Sequence, residues 1–216
     1  MNLPQHDQSI IPNRRAAERM LNMLNPNVPP DPETGRPTIY ASHRFMVAAD
    51  APDAPLPMPF KVAGTIAQHF DTLARMNRTM RTGVHVEVDA AVNIVAEMDL
   101  DRERARTELP LQPSIGILYG SHKWQLVWRV EAPLPAKVRE GVVDRIKGYA
   151  IDNGTAAKVT WKGPALLRVA GFHSRFARPV PVIAEGLRET CGQRSGRYTA
   201  AQMIEGFKLA QREAAA

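Results

Sequence analysis

The stretch IVAEMDLDRER, residues 94–104, ends an apolar run on two aspartates one residue apart, with Glu97 just before them. Side chains alternate between the two faces of a strand. Ile94, Ala96, Met98 and Leu100 therefore share one face, and Val95, Glu97, Asp99 and Asp101 share the other. Like charges on one strand face repel, so this pattern asks for a compensating cation. A divalent metal, a basic neighbour and plain solvent at a strand end all satisfy it.

The flanking sequence alternates helical and strand periodicity. Residues 13–24, NRRAAERMLNML, place Ala17, Met20, Leu21 and Leu24 on one helical face, with Asn13 able to cap it. Two proline-rich loops, 25–37 and 50–59, enclose a strand within 38–48. Residues 62–80 predict a helix with Ile66, Phe70, Leu73 and Met76 or Asn77 inward, running through Gly83 into the alternating strand VHVEVDA, 84–90. NIVAEMDL is the next strand and 101–109 a short polar helix or loop. PSIGILY (113–119), the turn GSHK and WQLVWRV (124–130) predict a hairpin with Trp124 and Trp128 in the core. Residues 136–151 are amphipathic, with Val138, Val142, Val143 and Ile146 inward. PALLRVAGF (164–172) and PVPVIAE are further strands, and 198–215 a last helix with Thr199 and Gln202 as a capping box. The sum is an α+β protein whose mixed or antiparallel sheet is covered by helices on one side. It divides into an N-terminal helix, strand and proline-rich loops (1–61), a core (62–187), and a polar linker with a C-terminal helix (188–216).

Composition narrows the function. A chain of 216 residues that is 44% hydrophobic and 23% charged can bury a proper core. Its net charge of +6 favours an anionic partner, of which nucleic acid is the commonest. Cys191 is the single cysteine, which excludes an internal disulfide and a cysteine-rich zinc site. The sequence shows neither a leader nor an apolar stretch of about 18 residues, so a soluble, cytoplasmic protein without membrane contact is expected.

Chemistry-bearing residues gather around the aspartate strand. Gln125, Val127 and Arg129 share the hairpin face opposite the tryptophans, and the turn adds Ser121, His122 and Lys123. Arg168 interrupts an apolar run, and GFHSRFAR supplies His173, Arg175 and Arg178. Carboxylates able to hold a divalent metal, next to several cationic donors, are what nucleotidyl transfer needs. Each has a plainer reading, as a solvated turn residue or a strand-end arginine paired to a surface acid.

The order of motifs says more than any one of them. LARMNRTMRTGVHVEVD, AEMDLD, QPSIGILYGSHKWQLVWRV, AIDNGTAAK and LLRVAGFHSRFARPVPVI resemble, in succession, the RepB-like primases of plasmids and phages, members of the archaeo-eukaryotic primase superfamily. The resemblance covers roughly residues 62–185 and implies a primase-like, RRM-like core. It implies Mg²⁺ or Mn²⁺ at Asp99 and Asp101, with Gln125 at the histidine-or-glutamine position of the second motif. It also implies contact with nucleotide or DNA through Ser121, His122, Lys123, Arg168, His173 and Arg175. Single-stranded DNA and nucleoside triphosphates are the implied partners, and the basic residues Lys123, Arg129, Arg168, Arg175 and Arg178 are expected to line one cleft that binds the single strand.

The chain departs from the family at one point. A third metal-binding aspartate stands about six residues before the motif arginine, which here falls at or near Lys162. Asp152 or Glu97 would have to replace it; otherwise the chain is a DNA-binding relative without catalysis. A nicking protein with a His-x-His metal pair and a tyrosine nucleophile fits less well, because VHVEV offers one histidine. No Gly-x-x-x-x-Gly-Lys-Ser/Thr loop is present, so unwinding would fall to a separate helicase.

Overall fold

The computed structural model describes residues 11–24, 41–44, 60–62, 66–79, 83–161, 164–174, 180–186 and 196–209. The chain divides into two compact units, one of residues 1–87 with 166–183, the other of residues 88–165 with 184–216. The protein is α+β with mixed and antiparallel sheets.

In the first unit, helix α1 (Arg14–Leu24) packs against α2 (Ile66–Thr79). Asn13 caps α1 as expected, its Oδ1 accepting from the Ala16 N–H at 3.1 Å. Ala17, Met20, Leu21 and Leu24 are all buried, as are Phe70, Leu73, Ala74 and Asn77 of α2. The sheet runs in the order β2 (Phe60–Val62), β1 (Ala41–Arg44), β3 (Gly83–Asp89), β8 (Pro164–Arg168). β2 had no signal in the sequence, since three residues beside a proline-rich loop show no periodicity. Beyond β8 the chain turns at Gly171 and reaches β9 (His173–Ser174), which pairs with β10 (Val180–Pro181). Phe172 is buried with its ring 5.4 Å from that of Phe70.

The second unit is built on a six-stranded sheet. Its path is β11 (Ile183–Gly186), β5 (Ile115–Leu118), β6 (Lys123–Val130), β4 (Asn93–Asp99), β7 (Lys158–Thr160), with β12 (Arg197–Tyr198) parallel to the end of β6. Alternation holds as the sequence predicts. Ile94, Ala96, Met98 and Leu100 enter one core with Trp124, Leu126 and Trp128. That core is closed by α3 (Arg102–Thr107), α4 (Ala136–Asp152) and α5 (Ala200–Gly206), through Ala105, Val138, Val142, Ile146, Met203 and Phe207. The helices thus cover one face of the sheet. Truncating either tryptophan to alanine would remove one of the largest fully buried side chains and cost about 3–5 kcal/mol.

The last helix is shorter than its periodicity predicts. Its capping box is present, with Gln202 N–H donating to Thr199 Oγ1 and Thr199 N–H to Gln202 Oε1. It ends at Gly206 rather than continuing to 215 because the chain makes a Schellman turn: Leu209 N–H bonds Ile204 O, and Lys208 N–H bonds Glu205 O. Lys208 occupies the left-handed position of that turn, at φ 52°. Lys208→Gly should therefore stabilise the protein by roughly 1 kcal/mol, read as a higher denaturant midpoint at unchanged slope.

Candidate active site

The Asp99–Asp101 segment is fixed by the residue between them. Leu100 is buried, its N–H donates to His122 O at 2.8 Å, and its carbonyl accepts from the Trp124 indole Nε1 at 3.0 Å. The β5–β6 hairpin therefore grips the backbone between the aspartates, and both aspartates are exposed. Sequence reasoning placed Trp124 in the core but missed this second role, because an indole donor leaves no periodic signal.

Asp101 differs from expectation. β4 ends at Asp99, and Asp101 is the N-cap of α3, with its Oδ1 accepting from Arg104 N–H at 2.8 Å. A carboxylate at a helix start satisfies an otherwise unpaired N–H, so the cap outcompetes continued strand. Arg104 also donates to Glu108 at 2.9 Å and to the Asn153 side chain, tying α3 to the end of α4. The hydrogen bond to Glu108 holds the Arg104 guanidinium above its usual pKa, and Asp101 adds a smaller pull in the same direction.

The acid-bearing face of β4 is answered by its neighbours. Asp99 lies opposite Lys123 of β6, and Glu97 is flanked by Gln125 on β6 and Lys158 on β7. Directly opposed residues have Cβ atoms about 4.5–5.5 Å apart, within reach of such side chains. Gln125, buried as a core residue is, donates from Nε2 to Glu97 Oε1 at 2.7 Å. The hairpin thus forms beside the aspartate strand with Gln125 on the acid face, as expected. Lys158 was not foreseen, since a three-residue strand is too short to show alternation. Among the described residues, no group of three or more histidine, cysteine or acidic side chains gathers to hold a metal.

Neither a family model nor a curated protein sequence matches the chain. Solved structures do. The catalytic domain of primase RepB′, in complex with initiator DNA, aligns with a TM-score of 0.53 at 15% identity, covering 92% of this chain and 96% of that one. The archaeo-eukaryotic primase domain of the cyanophage S-2L primase-polymerase aligns with a TM-score of 0.57 at 13% identity, covering 91% and 99%. A longer primase RepB′ chain aligns over 64% of its length with a TM-score of 0.54. This chain has the archaeo-eukaryotic primase fold.

Within that primase fold the sequence-derived positions divide between the units. Asp99, Asp101, Ser121, His122, Lys123 and Gln125 belong to the second unit, where Ser121, His122 and Lys123 are exposed on the hairpin turn. Arg168 and His173 belong to the first. Arg168, at the end of β8, brings Nη1 to 3.3 Å from His85 Nε2 of β3. His173 is held by the buried Asn77, whose Oδ1 accepts from the His173 N–H at 3.0 Å and whose Nδ2 donates to the His173 carbonyl at 2.9 Å. Lys162, Arg175 and Arg178 lie outside the described residues.

Arg129 is a correction. The basic residues of the sequence, Arg129 among them, were expected to line one DNA-binding cleft, yet Arg129 is buried, pairing in register with Asn93 on one side and Arg197 on the other. Burial, and secondarily Arg197, push its pKa down to about 10, which leaves it a cation at neutral pH. A side chain so enclosed supports the sheet and is not presented to a polymer. Among the described residues no helix is long and apolar enough to cross a membrane.

Proposed function

We propose that the chain is a primase-like nucleotidyltransferase that binds single-stranded DNA and nucleoside triphosphates in plasmid or phage DNA replication. The observation that carries this reading is the hold on Leu100, which presents Asp99 and Asp101 beside the exposed turn of Ser121, His122 and Lys123. The primase fold supports it, as does the RepB′ neighbour solved with initiator DNA.

The donor set fits a divalent metal of the Mg²⁺ or Mn²⁺ class. Such ions are held by one or two carboxylates, with substrate phosphates and water completing the shell. Asp99 offers a full carboxylate, and the cap bond to Asp101 engages Oδ1 and leaves Oδ2 as a ligand atom. When bound, the metal activates the attacking hydroxyl and neutralises the leaving pyrophosphate. Lys123, in register with Asp99 across the strand pair, and the neighbouring turn groups bind the triphosphate. Gln125 is oriented by Glu97 and fixes the floor of the site. Arg168 and His173, in the first unit, and Arg175 are further nucleotide- or DNA-contacting residues in this reading. A separate helicase opens the duplex.

A second reading is a DNA-binding relative that has lost catalysis. It is favoured by the cap role of Asp101, by the engagement of Glu97 with Gln125, and by Lys162 at the family's third acid position. Calorimetry with Mn²⁺ in the presence of a nonhydrolysable nucleoside triphosphate separates the two. Asp101→Asn keeps the cap, because asparagine and aspartate cap equally well, while removing the carboxylate. If the chain is a transferase, the wild type binds Mn²⁺ and Asp101→Asn loses it at unchanged melting temperature. If the chain is a relic, neither protein binds Mn²⁺, both bind DNA, and Lys162→Asp gains metal affinity.

A further inference from the structure

Arg168 and His85 meet across neighbouring strands β8 and β3, in the same unit. The chemistry of this pair fixes a protonation state. A guanidinium carries five N–H donors and no acceptor, so a hydrogen bond between Arg168 Nη1 and His85 Nε2 requires Nε2 to accept. His85 in this contact is therefore a neutral imidazole with its proton on Nδ1. Gly83 leaves the space for the pair, since a Cβ there would lie 3.0 Å from His85 Cε1 and 3.6 Å from Arg168 Nη1. Both side chains are only partly buried, so the anchored guanidinium remains within reach of a ligand.

We infer that His85 is a positioning residue for Arg168, holding the guanidinium plane in the orientation that accepts a phosphoryl group. The ligand chemistry is a phosphate oxygen, supplied either by a nucleoside triphosphate or by the backbone of single-stranded DNA. The inference rests on the proposed nucleic-acid function and adds a residue that the motif order did not single out. Its physical basis is that a long, flexible arginine loses less freedom on binding when one nitrogen is already tethered.

Two measurements test it. Long-range ¹⁵N–¹H spectra of the imidazole report the tautomer of His85 directly and need no ligand. A protonated Nδ1 with a bare Nε2 in the wild type, lost as a fixed state in Arg168→Ala, is the expected result. A protonated Nε2 overturns the pair whatever the protein binds. The second measurement is a double-mutant cycle read with a fluorescent oligothymidylate and, separately, with ATP. His85→Phe should weaken one of these ligands about tenfold in the wild type, the loss expected for a hydrogen bond to a charged group. The same change should have no effect in the Arg168→Ala background, and His85→Gln, which keeps an acceptor, should restore most of the affinity. The ligand that responds identifies the source of the phosphate. Equal weakening in both backgrounds overturns the positioning role. Unaltered binding of both ligands by Arg168→Ala overturns the nucleic-acid reading and that role with it, while the tautomer measurement still judges the contact.

Discussion

Asp99→Ala should abolish primer synthesis while leaving the fold intact. Asp99 is exposed at the end of β4, so removing its carboxylate opens no cavity, and its cross-strand partner Lys123 is exposed as well. Exposed pairs of this kind contribute about 0–1 kcal/mol, so the melting temperature should scarcely move. The effect on rate is different in kind. A metal ion contributes several kcal/mol of transition-state stabilisation, and each 1.4 kcal/mol or so is a factor of ten, so losing its principal carboxylate should lower the rate by about a thousandfold or more. Quantifying extension products beside thermal melts separates the two quantities. Activity within tenfold of wild type would remove Asp99 from the chemistry.

The second large effect is on stability. Gly171→Ala should cost more than about 3 kcal/mol, because two penalties act at once. Gly171 has φ 83°, a left-handed conformation that costs an alanine about 1–2 kcal/mol. An added Cβ would also lie 2.1 Å from the backbone oxygen of Asn13 and 3.1 Å from Ala17 N. A backbone atom cannot swing aside as a side-chain tip can, so the start of α1 would have to move. It would lose the bond from Asn13 N–H to Gly171 O at 2.6 Å and disturb the Asn13 cap. For a chain of this size the melting temperature should fall by about 10 °C. A variant melting within a degree or two of wild type would show that α1 is not docked on this turn. The glycine of the GF motif is thus explained by helix packing, with no ligand required.

The elements that were legible in the sequence are those in which one side-chain period reports one buried face. The even-numbered residues of β4 and the tryptophans of β6 are such a case, and the hairpin between Ile115 and Val130 followed from them. What escaped was set by tertiary contacts. VHVEVDA and NIVAEMDL both read as strands, yet β3 and β4 sit in different sheets, because alternation marks a strand without naming its partner. The Ala90–Val92 turn between them is held by Asp89, whose Oδ1 accepts from Ala91 N–H and whose carbonyl accepts from the Asn93 side chain. β7 and β12 have three and two residues, too few for a period. In the site, the spacing of Asp99 and Asp101 was visible, but the competition between strand and helix cap at Asp101 was not. That competition depends on the N–H of Arg104 having no other partner within the helix. Arg129 misled for a related reason: an arginine beside two tryptophans reads as surface charge, and its burial depends on neighbours from β4 and β12.

Synthesis on single-stranded DNA decides the claim that this primase fold transfers nucleotides onto a primer. The wild-type chain, given labelled nucleoside triphosphates, Mn²⁺ and an unbiased set of single-stranded templates, should produce short template-dependent products. Those products should disappear when the metal is chelated. Tight binding of the same templates with no labelled product, under conditions in which a Lys162→Asp variant takes up Mn²⁺, would contradict the claim and leave a DNA-binding relic.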